Sequence, residues 1–479
     1  MTVVGLSRLR PWDVAPPPAQ DYTEMAQIRI MQRNYAPPEA LSSRLPVALP
    51  AAGSIDCGGV FSRDSSRQPA LTAALKTLII GVFVSALAAF AVTRSPAFLQ
   101  GTDFPDFYCA ARMLAAGHGH QLYDADLQRQ YQARYSGRVG TLYIHPPVEA
   151  VLYLAVAWLP LRYAYLLWSL LNLTFLGFGV RRLAREIRLW DWRLSLVFSL
   201  TFVPTLLCFL QGQDSLLFLW LLILAFVALR SSRGFAAGCW LGLGLFKFQL
   251  ALPLVLVLLV TQNKKVRTGL VQGFSLVALV LAGLSAAISG WSVFLIYPRF
   301  LLHLKAQPYA GVVPQAMANF RGLIYFFFHS DQSSGALLSL SILYAAALIM
   351  TLLQWKKTGR DRNERDRNNL DRNSKDDFDL AFSNTVTFAL LVSYHLNPHD
   401  LSLALLPVAL LLHSASPRTA GARTPANWLT MGLLAIFFLP PLHLWALSAG
   451  LYALVSLPLL ALFLSVAFLS RREEARAVN

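Results

Sequence analysis

The sequence predicts an all-α polytopic membrane protein, a helical bundle of about eleven to thirteen transmembrane helices. Its 479 residues are 56% apolar and only 14% charged, whereas ordinary globular chains carry roughly 25% charged residues. The mean hydropathy is +0.49. Apolar stretches near 20 residues recur, the length that crosses about 30 Å of hydrocarbon as a helix. Helices are required because an open sheet edge leaves its backbone unsatisfied in lipid.

Most of the predicted spans are uninterrupted apolar stretches. They are Leu71–Thr93, Leu194–Leu210, Leu216–Leu229, Gly269–Ile288, Ala336–Leu353, Leu380–Tyr394, Leu401–Leu412, Trp428–Leu447 and Leu451–Leu469. Two further segments are interrupted, Pro147–Val180 by Leu159–Arg162 and Phe235–Val260 by Lys247–Gln249. Each of these two is either a hairpin of short helices or one long kinked span.

Polar segments divide the chain into parts. Residues 1–70 contain Pro16-Pro17-Pro18, Pro37-Pro38 and scattered Ser and Gly, and are predicted to be a disordered cytoplasmic tail. Residues 356–379 carry eight basic and seven acidic side chains, which predicts a charged cytoplasmic linker and excludes a nucleic-acid partner. The linker separates transmembrane modules at 71–355, which contains an outer loop at 94–145, and at 380–470. Residues 471–479 form a second cytoplasmic tail.

Basic loops orient the chain. Lys and Arg at 264–267, 356–357, 418–423 and 471–472 are expected to be cytoplasmic. Counting spans then places residues 94–145, 211–214, 290–335 and 397–400 on the opposite, outer face. One segment leaves the orientation open. The arginines between 181 and 193 are expected on the inner face, which requires Pro147–Val180 to cross the membrane an odd number of times. If that segment is a hairpin, these arginines lie outside, against the rule for basic loops.

The outer loop offers a candidate general base. Asp103 and Asp106 flank Phe104-Pro105 just beyond the first span, before a stretch suited to a helix at the membrane surface. A carboxylate fixed at that rim is well placed to take a proton from an alcohol. The alternative is that Asp103 or Asp106 caps the following helix.

A second polar cluster lies between two apolar spans and contains His395, His399 and Asp400. Such side chains are costly near lipid unless they face a cavity. Three or four zinc ligands with suitable spacing are not evident, so no metal is predicted. An imidazole here would bind a phosphate or a sugar hydroxyl. The alternative is a polar turn between helices.

Four further residues are candidates for substrate binding. Gln213 carries an amide suited to sugar hydroxyls, although the adjacent Asp214 can simply cap a helix. Lys247 is an intramembrane lysine, for which phosphate is the obvious partner and snorkelling to the surface the alternative. Arg321 lies in an outer loop and can clamp phosphate. His145 precedes Pro146-Pro147, where a structural role at a helix start is the alternative.

Several classes of site are missing from the sequence. It contains no phosphate-cradling P-loop, dinucleotide-binding GxGxxG unit or hydrolase nucleophile elbow, which argues against cytosolic nucleotide donors. Its four cysteines form no CxxC pair, which excludes a disulfide scaffold. No cofactor is predicted.

The order of the motifs resembles glycosyltransferase family 87, from about Leu71 to Leu412. That family holds the polyprenyl-phosphate-mannose-dependent mannosyltransferases of the GT-C class. The motifs are Asp103–Arg112, Leu122–Asp124, His145–Pro147, Leu167–Asn172, Gly212–Gln213, Gly242–Lys247, Asn319–Leu323 and His399–Leu401. The chain departs from the family at Phe248, where many relatives have Pro, and in the insertion at 356–379.

The resemblance implies a GT-C-like fold with a long first outer loop and an active site that faces the periplasm or exterior of the cell (inner) membrane. It implies transfer of a sugar, usually mannose, from a polyprenyl-phosphate donor to a lipid or glycan acceptor, with inversion. No metal is required for such a step, because cationic side chains match the charge of the leaving phosphate. The family's catalytic carboxylate maps to Asp103, with Asp106 second, and its C-terminal histidine to His399, with His395 nearby.

Two other functions fit the same composition. A multi-span transporter or lipid-linked sugar flippase is one, but transporters often show inverted repeats and midplane ion sites, whereas these polar residues gather at one face. A glycan polymerase or ligase that uses the same lipid carrier is the other, and it differs only in its acceptor.

Overall fold

The computed structural model describes residues 96–137, 139–187, 191–303, 313–364, 372–414, 437–438, 445–446 and 448–477. All of them belong to one compact unit, residues 64–479. The described residues form helices and no strand, which confirms the all-α class. The predicted tail at 1–70, the span Leu71–Thr93 and most of Trp428–Leu447 lie outside the described residues.

Seventeen α-helices are described, and short 3₁₀ turns join several of them. They are α1 Pro96–Gln100, α2 Phe104–Ala115, α3 Ala125–Ser136, α4 Pro147–Ala157, α5 Leu161–Ile187, α6 Trp192–Thr201, α7 Val203–Gln211, α8 Ser215–Arg230, α9 Gly234–Leu243, α10 Phe248–Thr261, α11 Lys264–Ser289, α12 Val293–His303, α13 Phe320–Phe328, α14 Ser334–Glu364, α15 Arg372–Val392, α16 Leu405–Ser414 and α17 Tyr452–Ala477.

Within this part of the chain, four segments are long and apolar enough to cross a membrane. They are α5, the continuous run Gly234–Thr261, α11 and residues 334–358 of α14. The pair α6 and α7 is apolar enough as well, and with its bend of 70° it forms either a broken fifth span or a re-entrant loop. Further apolar helices of 10–17 residues are α4, α8, α12 and residues 454–467. The polytopic membrane class is therefore confirmed.

The structure decides how the interrupted segments fold. Pro147–Val180 forms two helices, α4 and α5, with a break at Trp158–Pro160. Phe235–Val260 is one long span, interrupted by a 3₁₀ turn at Gly244–Lys247. Leu194–Leu210, predicted as one continuous span, is instead broken at the extended residue Phe202. Pro204 lies in the first turn of α7, where a missing N–H is tolerated.

The charged segment at 356–379 is largely helical where it is described. Helix α14 continues to Glu364 and α15 begins at Arg372. Asp379, at the predicted end of the linker, is buried, and Arg230 donates to it over 3.0 Å. The boundary expected between linker and transmembrane module therefore lies inside a helix.

Helices α9 and α11 pack with their backbones in close approach. A β-carbon on Gly238 would lie 2.2 Å from the carbonyl oxygen of Leu270, and one on Gly273 would lie 2.1 Å from that of Phe235. Small residues at such an interface let two helices meet closely, and in membranes this packing replaces the hydrophobic effect. The contact fixes the span that carries Lys247.

Replacing Gly238 with alanine should lower the free energy of unfolding by about 1–3 kcal/mol, because the added methyl group has no space at this interface. Thermal unfolding of the purified protein measures the effect. Gly283→Ala is the matched control, since a β-carbon there meets nothing within 4 Å. Equal melting temperatures for the two variants would contradict the close packing of α9 on α11.

Candidate active site

Asp103 is held by two glutamines from a distant turn. The Gln213 amide donates to Asp103 Oδ2 over 2.7 Å, and the Asp103 backbone N–H donates to Gln211 Oε1 over 3.0 Å. Although Asp103 precedes α2, its side chain makes no capping hydrogen bond. The capping interpretation of Asp103 is therefore wrong, and its half-buried carboxylate is fixed in place by Gln213.

The turn that carries these glutamines is itself braced. Gly212 adopts a φ of +65°, and a β-carbon there would lie 2.7 Å from Phe104 Cβ, so the turn packs directly on α2. The Tyr153 hydroxyl donates to the Gly212 carbonyl over 3.1 Å, and the Asn172 amide donates to the Gln213 carbonyl over 2.8 Å. Helices α4 and α5 thus hold the turn that holds Asp103.

Asp106, the second candidate base, ties the outer loop together. The Gln132 amide donates to its Oδ1 over 2.9 Å, and the Thr141 hydroxyl donates to its Oδ2. Both of its oxygens therefore accept hydrogen bonds from within the loop. This environment suits a structural carboxylate better than a base that must meet an alcohol.

His145 forms a pair with a buried glutamate. Its Nδ1 lies 3.0 Å from Glu149 Oε2, one turn into α4, and Glu149 is fully buried. The Tyr123 hydroxyl donates to the His145 carbonyl over 2.8 Å, and the imidazole packs 4.8 Å from the Phe107 ring. Burial lowers the pKa of His145 to about 4, so the ring is neutral at neutral pH.

Lys247 lies between two carboxylates in the interior. Its Nζ is 3.0 Å from Asp214 Oδ1 and 3.1 Å from Asp400 Oδ1, and the lysine is 1% exposed. The Ser215 hydroxyl also donates to Asp400, over 2.7 Å. The lysine does not snorkel to a surface. Asp214 makes no capping hydrogen bond, so that alternative is wrong as well. The ion pairs join the 211–214 turn to the 3₁₀ turn Pro398–Ala404.

His399 and His395 lie beside this charged core. His399 is buried, and its Nε2 is 3.7 Å from Asp400 Oδ2. His395 Nε2 lies 3.3 Å from the Asn397 amide. Burial lowers the pKa of both imidazoles, that of His395 to about 4. His399 is connected to Asp103 through a chain of contacts, because Gln213 donates to Asp103, the adjacent Asp214 pairs with Lys247, and Lys247 pairs with the Asp400 beside His399.

Arg321 belongs to a different set of contacts. It is 4% exposed, and its Nε donates to Asp331 over 2.8 Å. Its Nη1 donates to the Tyr394 carbonyl over 2.9 Å, and the guanidinium lies 4.3 Å from the centre of the Tyr394 ring. Arg321 therefore joins α13 to the segment that leads to His395, and a carboxylate already balances its charge.

Sequence reasoning missed two of these acidic groups, Glu149 and Asp331. Only Glu149 carried a usable signal, because it lies four residues after His145 and therefore on the same helical face. In the described residues, a group of three potential ligands lies at Asp376, Asp379 and His413, where Arg230 already binds Asp379.

Comparison with protein-family models gave a match to a family of glycosyltransferases. Residues 143–368 match the family model of glycosyltransferase family 87. His145, Gln213, Lys247 and Arg321 lie within the matched residues, whereas Asp103 and His399 lie outside them. Searches of curated proteins and of solved structures gave no significant match. The protein therefore carries a glycosyltransferase family 87 domain over residues 143–368.

Proposed function

We propose that this glycosyltransferase moves a sugar, mannose, from a polyprenyl-phosphate donor to a hydroxyl of a lipid or glycan acceptor, on the outer face of the cell membrane. One observation carries the proposal. In a membrane-spanning helical protein, the half-buried carboxylate Asp103 is fixed by Gln213, and the next residue, Asp214, is linked through Lys247 to the Asp400 that lies beside His399. Such a site suits a donor whose lipid tail stays in the bilayer.

The proposed reaction is a single displacement. The acceptor oxygen bonds to the anomeric carbon while the bond from that carbon to the phosphate oxygen breaks, and polyprenyl phosphate leaves with the electron pair. Asp103 takes the proton of the attacking hydroxyl. Because the nucleophile and the leaving group occupy opposite faces of the carbon, the configuration inverts. No metal takes part in the proposed step, and the departing phosphate needs donors to stabilise its charge.

The ion pairs of Lys247 and Arg321 argue against the direct phosphate contact that the sequence suggested for these two residues. Lys247 and Arg321, the two expected cations, are each buried against carboxylates. We therefore assign the direct phosphate contact to the His399 imidazole N–H and give Lys247 an indirect role, since it fixes the neighbouring Asp400. We assign the proton of neutral His145 to Nδ1, which lies 3.0 Å from Glu149 Oε2, and this tautomer leaves Nε2 as an acceptor for a substrate hydroxyl.

Gln213→Ala should lower the rate of transfer by about 10- to 100-fold, because a hydrogen bond to a charged group contributes roughly 1.5–3 kcal/mol. The loss should appear in kcat more than in KM, since the amide holds the base and not the substrate. Gln332→Ala, at an exposed loop residue, is the matched control. A Gln213→Ala enzyme with unchanged kcat would show that Gln213 does not position the base.

The configuration of the product tests the mechanism. A product whose new glycosidic bond has the configuration opposite to that of the donor supports a single displacement with Asp103 as base. Retention would instead require a covalent intermediate and would overturn the assignment. Movement of the donor across the membrane without any new glycosidic bond would favour the flippase.

A further inference from the structure

Helix α12 begins where a membrane-spanning helix has just ended. Helix α11 ends at Ser289, Gly290 turns the chain with a φ of +76°, and α12 starts at Val293. Its 11 residues extend for about 16 Å, roughly half of the hydrocarbon thickness. Over its described residues, Val293–His303, α12 is therefore too short to cross the membrane that α11 spans.

One face of α12 packs on the candidate site. Val293 is buried, and the Tyr297 ring stacks 5.1 Å from the Tyr123 ring. The Tyr297 hydroxyl donates to the Ile144 carbonyl over 3.3 Å, and the Tyr123 hydroxyl donates to the carbonyl of the next residue, His145. Helix α12 therefore supports the chain segment that carries His145.

The opposite face is apolar and uncovered. Leu295 and Leu302 of α12 and Trp291, in the turn just before it, are exposed at 63%, 80% and 79%. Large side chains exposed together in this way indicate a contact with lipid or with another protein. Leu279 of α11, exposed at 72%, extends the same kind of surface into the membrane-spanning region. Because α12 follows this membrane-spanning helix after a short turn, we assign lipid as the occupant of its exposed apolar face.

We propose that α12 lies along the membrane surface on the side of the candidate site, with Trp291, Leu295 and Leu302 in the lipid. The exposed Arg299 then reaches the headgroups, as arginines at interfaces do. In this position α12 keeps the His145 segment beside the bilayer through Tyr297. The proposal holds whatever sugar the enzyme transfers.

Spin labels measure the depth of α12 directly. Leu295→Cys and Leu302→Cys are each labelled with a nitroxide in a Cys57→Ser, Cys239→Ser background, in which the remaining Cys109 and Cys208 are buried. The protein is reconstituted into liposomes, and collision rates with oxygen and with a water-soluble nickel chelate are compared. Leu279→Cys serves as the control for the membrane interior, and Asp126→Cys, with a side chain 87% exposed in the outer loop, as the control for water.

Both α12 labels should be intermediate in depth, with nickel collisions several-fold fewer than at position 126 and oxygen collisions fewer than at position 279. Because both side chains face outward, labelling should not disturb the fold, and Trp291→Cys provides a third position. Nickel collisions equal to those at position 126 would place α12 in water and overturn the proposal. Protection from both reagents would show that a second protein copy covers the face, which also overturns it.

Discussion

Asp103→Asn is expected to lower sugar transfer about a thousandfold, because the amide cannot take the proton of the acceptor hydroxyl. The variant should fold normally, since asparagine still offers an oxygen to the Gln213 amide and the backbone bond to Gln211 is unchanged. Initial rates of purified wild type and variant, measured at equal protein and saturating donor, give the ratio directly.

Two matched variants make the Asp103 result specific. Asp126→Asn removes a carboxylate from the same outer loop, but its side chain is 87% exposed, so activity should not change. Asp106→Asn should act mainly on stability, because the Asp106 oxygens accept bonds from Gln132 and Thr141. An Asp103→Asn enzyme that keeps more than about a tenth of the wild-type rate would show that Asp103 is not the base.

Lys247→Met is expected to have the largest effect on folding. The substitution leaves Asp214 and Asp400 buried and without the ammonium that lies 3.0–3.1 Å from each. Removing one partner of a buried ion pair typically costs about 3–5 kcal/mol. The yield of folded protein in membranes, and thermal unfolding of whatever is purified, should both fall sharply.

Two comparisons identify the cause of that loss. Lys264→Met removes an exposed lysine at the start of α11 and should leave stability unchanged. Adding Asp214→Asn and Asp400→Asn to Lys247→Met removes the unpaired charges and should recover part of the lost stability. If Lys247→Met melts at the same temperature as the wild type, Lys247 does not hold the two turns together.

The sequence alone could predict the features that depend on local pattern. Long apolar stretches such as Gly269–Ile288 became membrane-length helices, because the length of an apolar run is read directly from the chain. Span counting placed Asp103 and Gln213 on one face, and the structure joins them over 2.7 Å. The broken helix at Phe202 was missed, since an apolar residue there gives no signal of an extended backbone.

The ion pairs could not be predicted in the same way. Lys247 and Asp400 are 153 positions apart in the sequence, and only the packing of the span against the Pro398–Ala404 turn brings them together. Asp331 lies in a polar stretch that resembles any surface loop, yet it balances the charge of Arg321. A lone intramembrane cation therefore suggested a phosphate ligand, when its partner was a carboxylate elsewhere in the chain.

Transfer of radiolabelled mannose from polyprenyl-phosphate-mannose, catalysed by the purified protein in liposomes, is the most direct test of the proposed activity. Parallel reactions receive one of three other donors. These are nucleotide-linked mannose, polyprenyl-phosphate-arabinose and polyprenyl-phosphate-glucose. We predict label in a lipid or glycan product from the lipid-linked mannose donor and none from the nucleotide donor. A folded protein that transfers sugar from none of these donors would contradict the account and favour the transporter.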